Sequence, residues 1–227
     1  IKRARRKMMP DNTRRAELVS KIITKRSRIL EIGSGHGFFL DIMKKNGYDI
    51  TGFEISKEKR KYSKKVTKVP VLDININETI PAVKPFDIVV LFHTLEHIID
   101  PVILLKNIKK LLKPKGKVLV EVPNCDDFHL GLNKFYKEFY WERAHIHYFN
   151  SKSLKTVINL GGFKGIKITG VQRYSIENFF HWRLKNKPQM ENPTYSLSGK
   201  LNWLDESYKK YLERNLICDT LISIANI

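Results

Sequence analysis

The sequence is poor in cysteine and lacks any long apolar run. Its 227 residues include two cysteines, Cys125 and Cys218, which provide neither a disulfide framework nor the spacing of a metal site. No stretch approaches the ~18–20 consecutive apolar residues of a membrane span. The N-terminal segment is basic, but no apolar stretch follows it, so it does not resemble a secretory signal. We therefore expect a soluble, cytoplasmic chain with a core large enough for one domain.

Acidic residues are also scarce. The chain has 23 Asp and Glu against 42 Lys and Arg, a formal net charge of +19. The basic residues concentrate in the first 28 positions, from Lys57 to Lys68 and from Lys106 to Lys117. Such an excess attracts anions, or it marks a lysine-rich solvated surface. We favour the solvated surface for the second and third clusters, which fall on predicted outer helices, and leave the N-terminal cluster open.

Two common nucleotide-binding motifs are missing. The phosphate-loop pattern is absent, and Phe38 stands where the dinucleotide fingerprint needs a third glycine or an alanine. What is present is an apolar strand over 28–32 that runs into the Gly-Ser-Gly-His-Gly turn at 33–37. Glycine permits positive φ and has no Cβ to hold a ligand away. The pattern favours a nucleoside ligand without a pyrophosphate, bound at the carboxyl end of a parallel strand.

The second predicted strand, over 48–54, ends in a carboxylate, Glu54. A carboxylate at this place can accept hydrogen bonds from both hydroxyls of a ribose. The alternative is that Glu54 caps the helix that starts near Ser56. We favour ribose binding because of the position of Glu54 one βα unit after the glycine turn.

Strand and helix patterns alternate along the chain. They predict an α/β fold with one doubly wound sheet of seven strands and a helical, basic N-terminal lead over 1–27. The domain proper is expected over 28–227, with aromatic-rich insertions at about 123–150 and 171–215 that can roof a site. The predicted strands lie at 28–32, 48–54, 69–72, 86–91, 116–122, 163–170 and 219–225, and the predicted helices near 12–26, 38–46, 56–66, 101–112 and 151–161.

Several motifs together resemble the class I S-adenosylmethionine-dependent methyltransferases over about residues 28–170. They are the glycine turn with Glu31 and Glu54, the strand and loop at 86–101, the strand at 112–124 and the segment at 144–154. The last is similar to the branch of the family that acts on small molecules, and residues 208–221 resemble methyltransferases of surface-polysaccharide assembly. The resemblance implies a mostly parallel Rossmann-like sheet with an antiparallel last strand, and S-adenosyl-L-methionine as cofactor.

The resemblance also implies the cofactor-binding residues. The glycine turn is expected to contact the methionine and ribose portions, Glu54 the ribose hydroxyls, and Asp73 the adenine edge. The expected cofactor-binding residues are Glu31, Gly33, Ser34, Gly35, Gly37, Phe38, Glu54, Ile55, Asp73, Phe92 and His93.

Methyl transfer from a sulfonium needs an aligned nucleophile and, for a hydroxyl acceptor, a base. The candidate bases are His93, His97 and His145, although His97 and His145 could instead tie loops together. His147 lies two residues from His145, but nothing in the sequence completes a metal site, so no metal is expected.

The acceptor is less well defined. Residues 92–95 replace the Asn/Asp-Pro-Pro-Tyr typical of enzymes that methylate base amines. Cys125 could act in carbon methylation, but the following Asp126 and Asp127 disfavour a thiolate. The sequence favours O-methylation of a small anionic acceptor such as a sugar, a nucleotide sugar or a polysaccharide precursor, with Arg143, Arg173 or residues 2–15 meeting its charge.

Two other functions stay open. One is an RNA methyltransferase that uses the basic N-terminal arm as a clamp. The other is a non-catalytic cofactor-binding scaffold. The sequence leaves the oligomeric state open.

Overall fold

The computed structural model describes residues 2–188 and 201–227, with side chains from residue 5 onward. Residues 189–200, part of the predicted second insertion, lie outside the described residues.

Seven strands form one sheet, as the sequence predicts. They are β1 (Arg28–Ile32), β2 (Asp49–Phe53), β3 (Val71–Leu72), β4 (Phe86–Phe92), β5 (Leu112–Pro123), β6 (Lys164–Val171) and β7 (Thr220–Asn226). Their order in the sheet is β3-β2-β1-β4-β5-β7-β6. The pairs from β3 to β5 are parallel, and β7 runs antiparallel to both β5 and β6. The predicted doubly wound α/β fold with an antiparallel last strand is therefore confirmed.

The central strand β4 is almost entirely apolar because helices cover both faces of the sheet. One buried cluster includes Leu30, Val89 and Val120, and the other includes Ile29, Ile88 and Leu119. Neighbouring residues of one strand thus enter opposite clusters, as the period of two requires.

Eight α-helices surround the sheet. They are α1 (Lys2–Ile22), α2 (Phe38–Lys45), α3 (Lys57–Thr67), α4 (Pro101–Leu111), α5 (Lys134–Tyr140), α6 (Ser151–Leu160), α7 (Ile176–Lys185) and α8 (Asn202–Arg214) among the described residues. None of them has the length and apolarity needed to cross a membrane.

Helix α1 differs from its prediction. It begins at Lys2 rather than near residue 12 and ends at Ile22 rather than 26, and Pro10 lies inside it. Because proline has no backbone N–H to donate, Pro10 would be expected near the start of a helix. The helical turns before Pro10 are instead held by packing of α1 against α2 and by a 2.7 Å ion pair between Arg5 and Asp41. The added turns bring α1 to the edge of the sheet where the glycine turn lies.

Two segments rise beside this edge. The chain between β5 and α6 contains a 3₁₀ turn (Phe128–Gly131) and α5, and the chain between β6 and β7 contains α7 and α8. Asp127 joins them, since it accepts 2.6 Å and 2.7 Å hydrogen bonds from Tyr136 and from Nδ1 of His129, and Tyr208 lies 2.6 Å from Nε2 of the same histidine. This buried network fixes the roof above the carboxyl ends of β4 and β5.

Candidate active site

A cavity of about 600 Å³ lies at the carboxyl edge of the sheet, between the glycine turn, the end of β4 and helix α1. Its volume is in the range of sites that hold small molecules. The lining residues come from sequence segments up to 167 positions apart. Those used below are Lys7, Asp11, Arg15, Glu31, Gly33, Ser34, Gly35, Phe38, Phe92, His93, Arg173 and Tyr174.

The three glycines of the turn have different reasons to be glycine. All have positive φ, at 73°, 54° and 77° for Gly33, Gly35 and Gly37. A Cβ on Gly33 would collide with the side chain of Thr94, and one on Gly37 with the side chain of Ser63 in α3. A Cβ on Gly35 would meet nothing within 4 Å. Gly37 is thus required by the packing of α2 against α3, and Gly35 is the one that leaves room above the turn.

Glu54 holds the glycine turn in place. Its buried carboxylate accepts a 2.7 Å hydrogen bond from the backbone N–H of Gly35 and a 2.8 Å bond from that of Ser56. The second bond matches the helix-capping alternative, because Ser56 is the N-cap of α3. A carboxylate has about four lone-pair sites, so acceptor capacity remains on both oxygens for further donors.

A small second cavity of about 80 Å³ opens beside Glu54 and Ile55, with Ile74 and Asn75 on its far wall. Its apolar lining and its place between the ends of β2 and β4 suit a flat ring. Asp73 is not among its lining residues. Its carboxylate instead accepts a 2.6 Å bond from Arg60, and the polar residues that line the cavity are Glu54, Asn75 and Thr94.

Three residues that line the large cavity carry a buried polar atom without a hydrogen-bond partner in the part of the chain that the structure describes. These atoms are Oε2 of Glu31, the hydroxyl of Ser34 and Nε2 of His93. Burial raises the pKa of Glu31 well above its ordinary value, Arg15 opposes this, and Glu54 adds to it. A buried carboxyl with an unused oxygen is suited to a ligand that brings positive charge or hydrogen-bond donors.

Helix α1 brings Lys7, Asp11 and Arg15 to the cavity. They belong to the segment 2–15 that the sequence proposes near the acceptor, but the structure pairs Arg15 inside the fold. Arg15 lies over the ring of Phe92, 4.8 Å from its centroid, and donates to the fully buried Glu121 of β5 at 2.9 Å through Nε. Arg14 contacts both oxygens of the same carboxylate at 3.0 Å. Burial would raise the pKa of Glu121, but His93 and the two arginines lower it far below its ordinary value. No local pattern marks this contact, because its partners are 106 residues apart.

His93 is shared by the large cavity and by a third cavity of about 240 Å³ under the aromatic roof. It follows β4 with a φ of 48°, which aims its ring between two carboxylates. Nδ1 lies 3.2 Å from Glu96, and Nε2 lies 3.4 Å from Glu121. Burial lowers the pKa of His93, but these two carboxylates outweigh it and the net pKa is raised.

The third cavity has aromatic and acidic walls. Tyr136, Phe139, Tyr140 and Tyr174 supply the rings, and the charged lining comes from Glu96, Glu142, Arg173 and Asp219. Asp219 accepts a 2.7 Å bond from Nε of Arg173, whose Nη1 also lies 3.9 Å from Asp11. Arg173 is therefore already neutralised, whereas Arg143 is an exposed residue that lines neither cavity.

His145 and His97 meet at the edge of this third cavity, with their ring centroids 4.9 Å apart. His97 is exposed and its Nδ1 lies 2.8 Å from the carbonyl oxygen of Ala144. Nδ1 of His145 is buried and has no hydrogen-bond partner among the described residues. Burial lowers the pKa of His145 more than the nearby Glu96 and Glu142 raise it.

The structure thus brings most of the predicted site residues to one edge of the sheet. Gly37, Asp73 and His97 are the exceptions, since none of them is among the residues that line the three cavities. The predicted residues that do line them are Glu31, Gly33, Ser34, Gly35, Phe38, Glu54, Ile55, Phe92, His93 and His145, and His97 packs against His145. Their roles in binding and catalysis stay predictions.

Comparison with known proteins places this site in a family. Residues 1–168 match the model of a methyltransferase-domain family. The chain belongs to this family. It is an S-adenosyl-L-methionine-dependent methyltransferase, as the sequence motifs predict.

The curated relatives are distant. A ubiquinone biosynthesis O-methyltransferase of Coxiella burnetii is 24% identical over 180 residues, which cover 70% of this chain and 73% of the relative. The protein of the same name from Haemophilus ducreyi is 27% identical over 107 residues, or 43% of this chain and 45% of the relative. These relatives do not confirm the finer resemblance to polysaccharide-associated methyltransferases.

Solved structures share the fold. A methyltransferase from Archaeoglobus fulgidus is 21% identical, with a TM-score of 0.61 over 89% of this chain and 86% of its own. The phosphoethanolamine N-methyltransferase 2 of Haemonchus contortus, solved with S-adenosylhomocysteine, is 22% identical with a TM-score of 0.61 over 90% of this chain and 49% of its own.

The methyltransferase site fits S-adenosyl-L-methionine. The large cavity is lined by Glu31 and Ser34, each with an unpartnered oxygen among the described residues, and by Gly35, which leaves open space at the turn. The small apolar cavity is lined by Ile55. Gly33 lines both cavities, so one elongated ligand can pass over the turn. The donor set, with a buried carboxyl toward the large cavity and an apolar slot at the other end, suits a cationic amino acid joined to a nucleoside.

Proposed function

We propose that this methyltransferase transfers the methyl group to a hydroxyl oxygen of a small acceptor held in the third cavity. The observation that carries the proposal is the position of His93, which lines both the cofactor cavity and the third cavity. If the methyl group of the cofactor lies next to His93, it is within reach of both cavities, and an acceptor oxygen in the third cavity can approach it in line with the bond that breaks. Alignment of this kind can supply about 7–11 kcal/mol of the barrier.

The chain would bind the cofactor along the glycine turn. Glu54 accepts from the ribose hydroxyls with its remaining lone pairs while it keeps its bonds to Gly35 and Ser56. Glu31 faces the positive end of the methionine portion, where its unused oxygen is buried. S-adenosyl-L-methionine supplies an already activated methyl group when bound, so the protein needs only to position the acceptor and take its proton.

His145 is the group proposed to take that proton. Its Nδ1 is buried and has no hydrogen-bond partner among the described residues. Nε2 of His93 is likewise without a hydrogen bond, but it lies 3.4 Å from Glu121, and Nδ1 of His93 lies 3.2 Å from Glu96, so both nitrogens of that ring are next to carboxylates. The aromatic roof of Tyr136 and Tyr140 excludes water from this place. A positioned base of this type contributes typically about 10²–10⁴-fold.

The walls of the third cavity support a hydroxylated ring as the acceptor. Tyrosine and phenylalanine rings pack on the faces of sugars and phenols, and Glu96 and Glu142 can accept from hydroxyl groups. We keep a sugar, a nucleotide sugar or a polysaccharide precursor as the proposed acceptor class. Within this class an uncharged sugar is favoured over the anionic nucleotide sugar, because Glu96, Glu142 and Asp219 line the cavity and Arg173 already pairs with Asp219.

Oxygen rather than nitrogen as the acceptor atom is supported by the names of the curated relatives, which are O-methyltransferases. It is also supported by residues 92–95, which lack the sequence typical of base-amine methylation.

The RNA methyltransferase alternative loses part of its basis in the structure. Arg5, Arg14 and Arg15 of the basic arm are engaged with Asp41 and Glu121 inside the fold. Lys25 and Arg28 also donate within the fold, to the carbonyl oxygen of Asn46 and to Asp49, so at least five of the eleven cations of the first 28 residues have partners inside it. The scaffold alternative predicts cofactor binding without turnover on any acceptor.

A panel experiment tests the proposal. Purified protein and S-adenosyl-L-methionine are incubated with free sugars, nucleotide sugars, phenols, amines and a transcript, and products are identified by mass spectrometry and by the position of the new methyl group. We expect methyl ethers from a hydroxylated small molecule. Methylation of the transcript alone, or of amines alone, would refute the proposal, and cofactor binding with no product from the panel would support the scaffold.

A further inference from the structure

Three side chains at the third cavity form a cluster with the composition of a metal site. Glu96, His97 and His145 each offer one ligand atom, and these atoms all lie within 4.8 Å of one another. Two imidazoles and one carboxylate are a ligand set used for first-row divalent cations, with positions left open for further ligands. The sequence does not indicate this cluster, because His145 joins it from 48 positions beyond His97.

The second observation is that two of the ligand side chains carry a buried polar atom without a hydrogen-bond partner. The side chain of Glu96 is 1% exposed. Its Oε1 contacts His93 at 3.2 Å, but its Oε2 is buried with no hydrogen-bond partner among the described residues. Nδ1 of His145 is buried and unpartnered in the same way. A buried carboxylate oxygen beside an unpartnered imidazole nitrogen is costly unless a further group satisfies both.

The third ligand is oriented as metal-binding histidines usually are. Nδ1 of His97 lies 2.8 Å from the carbonyl oxygen of Ala144, which fixes Nδ1 as the protonated nitrogen and leaves Nε2 with its lone pair. Such a hydrogen bond from the other ring nitrogen to a backbone carbonyl is the common outer-shell contact of a ligating histidine.

The backbone holds the two segments together. The N–H groups of Ile146 and His147 both donate to the carbonyl oxygen of Glu96, at 2.9 Å and 3.0 Å. The loop that carries His145 is therefore pinned directly on the 3₁₀ turn (Leu95–His97) that carries the other two ligands. Tetrahedral ligands about 2.0–2.1 Å from zinc lie roughly 3.3 Å apart, so side-chain adjustments suffice to close the cluster around a cation.

We propose that Glu96, His97 and His145 bind a divalent cation of the zinc class, and that an oxygen of the methyl acceptor completes its coordination. The first part stands on the cluster alone, and the second part rests on the proposed function. Glu96 and His145 line the third cavity, so the open positions of the cation face the acceptor. The acceptor class is then narrowed to molecules that offer an oxygen donor, such as a hydroxyl beside a second hydroxyl or a carbonyl. With the cation present, His145 holds the metal in place of the proton-accepting role proposed above, and the cation orients the acceptor hydroxyl. The proton of that hydroxyl then passes to Nε2 of His93, which lines the same cavity and has no hydrogen-bond partner among the described residues.

Zinc binding tests the first part without any enzymatic readout. Full-length, tag-free protein is stripped with a chelator and titrated with Zn²⁺ by calorimetry, and Co²⁺ is used as a spectroscopic substitute. We expect one Zn²⁺ per chain with micromolar or tighter affinity. The variants Glu96→Gln, His97→Ala and His145→Ala should each weaken binding by more than the roughly 10–100-fold that loss of an outer-shell partner causes. They should also remove the visible Co²⁺ bands.

The matched control is His147→Ala. His147 lies on the same loop, and its Nε2 is 3.2 Å from the carbonyl oxygen of Ile99, outside the cluster. This variant should bind Zn²⁺ as the wild type does. Absence of a stoichiometric Zn²⁺ site in the wild type would overturn the proposal, as would undiminished binding in folded His97→Ala and His145→Ala variants. Circular dichroism confirms the fold of each.

Methyl transfer by stripped and Zn²⁺-reloaded protein tests the second part. The metal should raise turnover with an acceptor that carries two neighbouring oxygens more than with one that carries a single hydroxyl. Equal turnover with and without Zn²⁺ would overturn the acceptor role while the cation site remains. Failure to find any acceptor would count against the proposed function alone, because the binding titration does not depend on it.

Discussion

Arg15 of α1 and Glu121 of β5 form a buried ion pair, with Nε and Oε1 2.9 Å apart and both side chains less than a tenth exposed. The pair ties the N-terminal helix to the edge of the sheet that carries the candidate site. Removal of Arg15 leaves the buried carboxylate with Arg14 and His93 as partners, so the cost should lie below the roughly 3–5 kcal/mol of a fully uncompensated buried charge.

We therefore predict that Arg15→Met lowers the free energy of unfolding by about 1.5–3 kcal/mol in urea titrations, the range for hydrogen bonds to a charged group. The control is Lys210→Met, which removes an exposed partner 3.8 Å from Glu206 and should leave the urea midpoint unchanged because such pairs contribute little. Equal midpoints for the two variants would show that α1 is not anchored through this pair.

The second prediction concerns Glu54. Glu54→Ala should weaken S-adenosyl-L-methionine binding by about 1.5–3 kcal/mol, the range for hydrogen bonds to a charged group. The alanine variant also leaves the N–H groups of Gly35 and Ser56 without their acceptor. Glu54→Gln keeps one acceptor oxygen, so its affinity for S-adenosyl-L-methionine should lie between those of the wild type and Glu54→Ala. Asp73→Asn is the comparison variant, because the structure directs Asp73 to Arg60. Calorimetry that finds a larger loss for Asp73→Asn than for Glu54→Ala would reverse this assignment.

Glu54 and Arg15 illustrate what can and what cannot be predicted from the sequence. Gly35 and Glu54 belong to a strand-turn-helix unit and its successor, and local residue order is enough to place them at the carboxyl edge of a parallel sheet. Arg15 and Glu121 are 106 residues apart, and no periodicity links an arginine in an amphipathic helix to one glutamate in a distant strand. Asp73 shows the same limit, since its position after β3 is predicted well, but its partner Arg60 is set by side-chain geometry.

The third prediction is a pH dependence of Glu31. Burial raises its pKa in the folded chain above the unfolded value of about 4.3. Its contribution to stability is therefore fully present below the unfolded pKa and is lost as the pH rises through the folded pKa. Glu31→Gln has no carboxyl at this position, so its stability lacks this pH dependence. As the pH rises from the unfolded to the folded pKa of Glu31, urea titrations of the cofactor-free proteins should therefore show a smaller loss of stability for Glu31→Gln than for the wild type.

The same carboxyl should respond to the cofactor. A positive charge near Glu31 lowers its pKa, so binding of S-adenosyl-L-methionine releases a proton from the wild type. Calorimetry in two buffers of different ionisation enthalpy measures this release. Identical proton release by wild type and Glu31→Gln, with equal affinity, would remove Glu31 from the cofactor site.

The fourth prediction concerns the histidines. His145→Ala should lower turnover at least about 10²-fold with cofactor affinity near that of the wild type, because the side chain lies in the third cavity and not in the cofactor cavities. His147→Ala should keep its turnover. If His145→Ala retains full activity and His93→Ala does not, the residue that removes the proton is His93, which lies between the two cavities.

The last prediction separates a small acceptor from a nucleic acid. A polymer held by 6–10 phosphate contacts loses about 10³–10⁵ in affinity between 50 and 200 mM salt, whereas an acceptor enclosed in the third cavity should change its KM by less than about tenfold over that range.

Truncation of the basic arm is a poor test, because Lys7 lines the cofactor cavity and Arg5 pairs with Asp41. Charge reversal of the exposed Lys61, Lys64 and Lys65 on α3 leaves these contacts intact. A triple Lys→Glu variant should methylate the small acceptor at the wild-type rate. If it instead loses activity on a transcript, and the wild type loses that activity steeply with salt, the positive surface is a nucleic-acid clamp and the small-acceptor proposal is wrong.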